Sequence, residues 1–204
     1  MASALRMPRD GRPLGLTLAF TGMFLVSTDS LLVRVAEQDS NVDGWTIAFM
    51  VGLFSVPVTW SLAVRSLGRD TLRQIVRWRL TLLVTGLLGG IGTTSFLTAV
   101  TLTSAANVVA IIASGPIFAA ALAPLALQER TSARTWRAIC LVVVGIMVIV
   151  SGSIAAGGIA GDLVALLAIF VFAVNLVIWR RHPELPRTLV VAVTATCTMA
   201  VTAG

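Results

Sequence analysis

Apolar runs of about twenty residues, each ended by a short polar or arginine-bearing segment, set the rhythm of this chain. Windows of about 19 residues predict helices near Leu14 to Val35, Trp45 to Val64, Leu80 to Ala99, Leu102 to Leu127, Trp136 to Ser153 and Gly161 to Trp179. A seventh run extends from Thr188 to Gly204. These are spans 1 to 7 below. A helix rising about 1.5 Å per residue crosses the roughly 30 Å hydrocarbon layer in about 20 residues, so the pattern predicts an all-α polytopic membrane protein with about seven transmembrane helices. The basic start (Arg6, Arg9, Arg12) is that of a secretory leader. The run behind it, however, is long, contains Asp29 and lacks a clean small-x-small cleavage site, so span 1 reads as a retained helix.

Composition agrees: 57% of residues are apolar and 12% charged, with a mean hydropathy of +0.95, against roughly a quarter charged in soluble domains. The net charge of +6 comes from fifteen arginines with no lysine. On the predicted topology every arginine except Arg34 falls on one side: before span 1, between spans 2 and 3, between 4 and 5, and between 6 and 7. The opposite loops carry Glu37, Asp39 and Asp43, or a Gly/Ala link. By the positive-inside rule the N-terminus is cytoplasmic and the location a cell (inner) membrane. The charge is therefore topological rather than a nucleic-acid surface. Cys140 and Cys197 sit in apolar runs without histidine, which supports no disulfide framework, metal site or cofactor.

Few polar groups enter the spans. Asp29 is the leading candidate for substrate, proton or ion binding, because an intramembrane carboxylate costs at least about 2.5 to 3.5 kcal/mol. A structural bond from Asp29 to Arg34 or Asn107 is the competing reading. Asn107, early in span 4, is expected at a depth similar to that of Asp29, so the two would flank one polar cavity. Arg34 lies further out, where it pairs with Asp29, holds an anionic substrate or snorkels. Pro116 removes the hydrogen bond to the Ile112 carbonyl and predicts a kink beside Ser114, either lining a substrate path or resealed by neighbouring helices. Asp162 reads as a cap and dipole partner at the start of span 6. His182 reads as a solvated loop residue, and the five tryptophans as interfacial anchors. The chain has no HExxH, GxSxG, Walker loop or CxxC, so it is not expected to be an enzyme. Gly15, Ala19 and Gly22 in span 1, and Gly86 with Gly90 in span 3, form small-residue faces that let helices approach.

A shift of 146 residues lays Gly15 on Gly161, Ala19 on Ala165, Phe24 on Phe170, Asp29 on Asn175 and Arg34 on Arg180. Five spans separate the copies, so the second enters from the other side, as in inverted-repeat transporters. Asn175 thereby becomes a candidate as the mate of Asp29. The stretch Ser27 to Arg34, the run from Thr103 through Ser104 and Asn107 to Pro116, the Glu129 and Arg130 pair, Gly145 and the Gly161 to Ala168 segment together resemble the drug/metabolite transporter superfamily, EamA type. The resemblance implies ten helices in two repeats of five and alternating-access transport of small molecules. On it, residues 1–13 are a cytoplasmic segment, 14–154 a first five-helix repeat, and 155–204 the start of an inverted second repeat, incomplete at helices 6 and 7. The expected function is a secondary, non-ATP transporter of metabolites, amino acids or drugs, proton- or ion-coupled. The alternative is a non-transporting truncated or structural membrane protein that needs a partner chain. Expected partners are the lipid bilayer, a small-molecule substrate, and a second copy or completing chain, with no nucleic acid.

Overall fold

The computed structural model describes residues 43–127, 132–156 and 158–204, together with Leu16, Thr17, Phe20, Thr21, Phe24 and Val35. Asp29, Arg34, Glu129 and Arg130 lie outside the described residues. The described chain is helical and contains no strand: α1 (Gly44–Leu67), a 3-10 turn (Gly68–Asp70), α2 (Thr71–Leu102), α3 (Ala105–Ala113), α4 (Gly115–Leu127), α5 (Ala133–Ala156), α6 (Ile159–Arg181) and α7 (Arg187–Thr202). Gly44–Leu102, Ala105–Pro124, Ala133–Gly152 and Ile159–Arg181 are long and apolar enough to cross a membrane, and α7 is shorter.

Local chemistry sets the helix ends. Asp43 caps α1, its Oδ1 accepting from the Thr46 backbone N–H at 3.1 Å and from the Thr46 hydroxyl. These bonds, the side-chain one first, hold the Asp43 carboxyl below the usual carboxylate range. Gly68 closes the α1–α2 turn at φ 54, in the left-handed region that a side chain disfavours. The α2 helix begins nine residues before span 3. Its extra turns present Arg73, Arg77 and Arg79 outward together with Leu72, Val76 and Leu80, and half-bury Ile75 and Trp78.

Span 4 differs from expectation in one respect: it is divided, not merely kinked. α3 ends at Ala113 and α4 begins at Gly115, with Ser114 between them. Pro116 stands in the first turn of α4, where a missing N–H costs little. The chain rejoins through Ile117 and Phe118, whose N–H groups both donate to the Ser114 carbonyl at 2.9 and 3.2 Å.

Close contacts define how the helices pack. An ideal Cβ on Gly44 would lie 2.5 Å from Thr98 Cα, so the start of α1 meets the end of α2 and the two are antiparallel. α7 lies against both. Trp45 Nε1 donates to the Thr202 carbonyl at 3.1 Å, Trp60 Nε1 to Thr196 Oγ1 at 2.9 Å, and Ser66 Oγ meets Thr188 Oγ1 at 3.0 Å. On α2, Gly86 faces Val193 and Gly90 faces Cys197 and Thr198 of α7. α6 runs antiparallel to α2, with Gly161 against Thr103 and Gly92 against Phe172, and α4 packs beside α6 through Gly115 and Ile169.

This topology collects the described arginines of α1, α2, α5, α6 and α7 at one end of the bundle. There Ala63, Leu82, Leu185 and Leu189 form a core that Trp60, Trp78 and Trp179 pack against. Those tryptophans are thus partly interior, not purely lipid anchors. His182 is also not simply solvated: its ring meets Trp78 edge-on at 5.4 Å, and its Nδ1 is 3.8 Å from Glu184. A second core at the opposite end joins Ala48, Leu97, Val100, Val108, Ile111, Ala165 and Ile169. Among the described helices α5 makes few contacts and exposes Leu141, Val144, Met147 and Val148.

Candidate functional site

Two polar features interrupt the apolar bundle. The first is a hollow of about 170 Å³ between α1, α2 and α7, lined by Val51, Gly52, Ser55, Thr59, Thr93, Val191, Thr194, Ala195 and Thr198. Its hydroxyls come from helical pairs one turn apart, Ser55 with Thr59 and Thr194 with Thr198, so that both members of a pair share a face. Thr59 Oγ1 donates to the Ser55 carbonyl at 2.7 Å, and Thr198 Oγ1 to the Thr194 carbonyl at 3.0 Å. A hydroxyl that spends its proton on its own helix keeps acceptor lone pairs for a solute. Small residues keep the three helices close around the hollow: Gly52 abuts Met199, and Gly89 abuts Thr194.

The second feature is the seam between α2 and α6. Toward the arginine-bearing end, Asn175 is 5% exposed, and its Nδ2 donates to the Thr85 carbonyl at 3.1 Å. Its Oδ1 is buried without a hydrogen-bond partner among the described residues. Near the other end sits Asp162, at 0% exposure, with neither carboxylate oxygen hydrogen-bonded among the described residues. The expected capping role does not hold. The N-cap of α6 is Gly158, without a side-chain bond, and Asp162 is the fourth residue of the helix, turned into the bundle. A helix N-terminus offsets about 0.3–1 kcal/mol of an anion's cost, up to about 2. Burying an unpaired carboxylate costs several kcal/mol, so the dipole alone does not balance Asp162. Its neighbour Gly161 presses on the α2–α3 junction: an ideal Cβ there would come 2.6 Å from Thr103 Cβ and 2.7 Å from the Thr103 nitrogen.

The residues selected from sequence do not converge on one chamber. Asn107 is half-buried on α3, its backbone N–H donating to Oγ of Ser104, the helix cap, at 3.2 Å. Ser114 is 6% exposed and donates its hydroxyl to the Ile111 carbonyl, closing the helix break on itself. Pro116 opens α4, and Gly115 beside it packs on Ile169. Asn175 lies on the other side of α6, against α2. Asp29 and Arg34 stay outside the described residues.

Sequence reasoning passed over the hollow and took Asp162 for a cap, although it singled out Asn175. The stripe Asp162, Ala165, Ile169, Ala173, Val177, at steps of three and four, is the buried face of α6 and begins with the acid. The pairs Ser55/Thr59 and Thr194/Thr198 were equally visible as hydroxyls four residues apart.

The chain was compared with known proteins. No curated protein and no solved structure matches it. The family model described as the EamA-like transporter family matches residues 13–151, more than half of the chain. The polytopic helical fold and its several apolar helices agree with that match. The chain therefore belongs to the EamA-like transporter family, whose members are multi-pass membrane transporters of small molecules and not enzymes.

Proposed function

We propose that the chain is a secondary, non-ATP transporter that carries small polar metabolites, amino acids or drugs across the cell (inner) membrane by alternating access, coupled to a proton or another ion. One observation carries this reading: the hollow between α1, α2 and α7, open at the side of the bundle and mostly apolar in its lining, brings the hydroxyl-bearing residues Ser55, Thr59, Thr93, Thr194 and Thr198 together. Hydroxyls hydrogen-bond a solute without the desolvation cost of a fixed charge, so the solute binds and still leaves. At about 170 Å³ the hollow is smaller than the roughly 300–1,000 Å³ of drug-sized pockets, which favours a compact solute or one end of a longer one. The arginine-rich end, and with it the N-terminus, faces the cytoplasm by the positive-inside rule. Asn107, Ser114 and Asn175 serve as secondary polar positions along the neighbouring seams.

The test is uptake into liposomes by the purified chain, using labelled amino acids, sugars and cationic drugs, with and without an imposed pH or sodium gradient. Saturable uptake without ATP is expected. Thr194→Val keeps the shape and removes one hydroxyl, so KM should rise about 2- to 10-fold, the equivalent of one hydrogen bond of about 0.5–1.5 kcal/mol. No saturable uptake of any class would refute the reading, as would unchanged KM in both Thr194→Val and Ser55→Ala.

A further inference from the structure

We infer that the groove between α1 and α7 at the basic end of the bundle binds one anionic phospholipid, its phosphate on Arg187 and one acyl chain along the seam. The groove measures about 220 Å³ and is lined by Thr59, Leu62, Arg187, Thr188 and Val191. Its lining is almost wholly apolar, and among the described residues it opens to the side of the bundle, with Leu62 and Val191 exposed. Thr59 and Val191 also line the hydroxyl-bearing hollow, so the two are continuous along the seam. From Arg187 to Thr198 they follow α7 for eleven residues, roughly 16 Å of helix. One leaflet of a hydrocarbon core about 30 Å thick has about that depth. A guanidinium at the mouth and a mostly apolar floor one leaflet long match the two parts of a lipid.

Arg187 is held ready for the phosphate. Its guanidinium lies 4.9 Å from the centroid of the Trp179 ring, and one of its N–H groups donates to the Trp179 carbonyl at 3.2 Å. A guanidinium has five donors, so this anchoring fixes the group and leaves donors for a paired contact to phosphate oxygens. Arg65, one turn beyond Leu62, adds a second positive charge in the last turn of α1. Charge decides which lipid fits. On the topology read from the sequence, fourteen arginines share this end with four acids, Asp10, Asp70, Glu129 and Glu184, so pairing every acid with an arginine still leaves ten unmatched. That count covers the whole chain. By the positive-inside rule this end faces the cytoplasmic leaflet, which carries the anionic lipid. The bound acyl chain closes the open side of the hollow at Thr59 and Val191. Lipid binding needs no transported solute, so it stands or falls apart from the transport reading.

The experiment is native mass spectrometry of the full chain released from neutral-detergent micelles that hold equal phosphatidylglycerol and phosphatidylcholine with the same acyl chains. The wild type should retain one phosphatidylglycerol about fivefold more often than phosphatidylcholine, the share of one interfacial arginine. Arg187→Gln should remove that preference and Arg187→Lys should keep most of it. Arg181→Gln, at the same end but outside the groove lining, should leave it unchanged. Leu62→Trp fills the groove and should lower retention of both lipids with an unchanged helical circular-dichroism spectrum, which decides the matter if Arg187→Gln does not fold. Inorganic phosphate should not displace the lipid, because the acyl chain also holds it. Equal retention of the two lipids by the wild type, equal loss in Arg187→Gln and Arg181→Gln, or release by phosphate overturns the inference. Lipid-free wild-type dimers that Leu62→Trp makes monomeric would assign the groove to a second copy, and unchanged retention in Leu62→Trp would place the lipid elsewhere; each overturns it as well.

Discussion

Gly90 of α2 is where one methyl group tells most about the bundle. Alanine there places a Cβ 2.9 Å from the Cys197 carbonyl carbon and 2.9 Å from the Thr198 nitrogen, both backbone atoms of α7. Neither can turn aside as a side chain would, so α2 and α7 must separate. Overpacking of this kind costs about 1–3 kcal/mol. Opposing it, a helix-interior Gly→Ala change gains about 0.8–1.0 kcal/mol in propensity. The expected net effect of Gly90→Ala is a loss of up to about 2 kcal/mol, the difference of those two magnitudes. Gly145 of α5 supplies the control, because a Cβ there meets nothing within 4 Å among the described residues. Gly145→Ala keeps the propensity gain without the clash and should stabilise by up to about 1 kcal/mol. Both variants are measured by equilibrium unfolding of the reconstituted protein in mixed detergent, followed by tryptophan fluorescence. A gain of about 0.8–1.0 kcal/mol in Gly90→Ala, the propensity effect with no clash against it, would refute the direct backbone contact between α2 and α7. A comparable loss in Gly145→Ala would show that α5 packs closely against another surface.

Three further outcomes are expected. Asn175→Leu should change stability by less than about 1 kcal/mol in the same unfolding assay, since interhelical polar contacts in membranes average about 0.6 kcal/mol and the unpartnered Oδ1 removes part of that gain. A loss above about 2 kcal/mol would show that this oxygen is satisfied. Asp43 has a folded pKa below its ordinary value, so its stabilising effect is complete above the unfolded carboxylate range and disappears as pH falls through the lower folded value. A pH series of thermal melts should therefore show an acid-side decline that Asp43→Asn lacks, and parallel curves for the two proteins would contradict the cap. Gly161→Val should destabilise the bundle by about 1–3 kcal/mol or more, because its Cβ meets the Thr103 backbone; unfolding at wild-type denaturant strength would contradict the closed α2–α6 seam.

Much of the architecture was legible from residue types alone, for reasons that act locally. Twenty apolar residues must satisfy their own backbone in lipid, so spans 2, 3, 5 and 6 coincide with helices α1, α2, α5 and α6 to within a few residues except at the arginine-bearing start of α2. Arginines cannot readily cross the hydrocarbon, so their alternation along the chain anticipated the single end at which the described ones gather. Pro116 announced a disturbance in span 4 because proline lacks an N–H. Its outcome, a break at Ser114 with the hydroxyl turned onto the Ile111 carbonyl, depended on packing Gly115 against Ile169.

The candidate site was less legible, because a polar residue on a helix has no depth, partner or face until other helices surround it. Asp162 read as a cap from its place near a helix start, yet it is wholly buried, next to Gly161, which presses on the α2–α3 junction. The hollow needs hydroxyls from three helices whose hydroxyl-bearing residues lie up to 143 positions apart, from Ser55 to Thr198. The sequence by itself determined that this chain is a helical membrane protein, where its helices run and which end is basic, since each follows from transfer of local segments between water and lipid. Tertiary structure alone decided which polar groups are enclosed together and which are left without a partner, since those depend on how glycine-lined faces bring separate helices into contact.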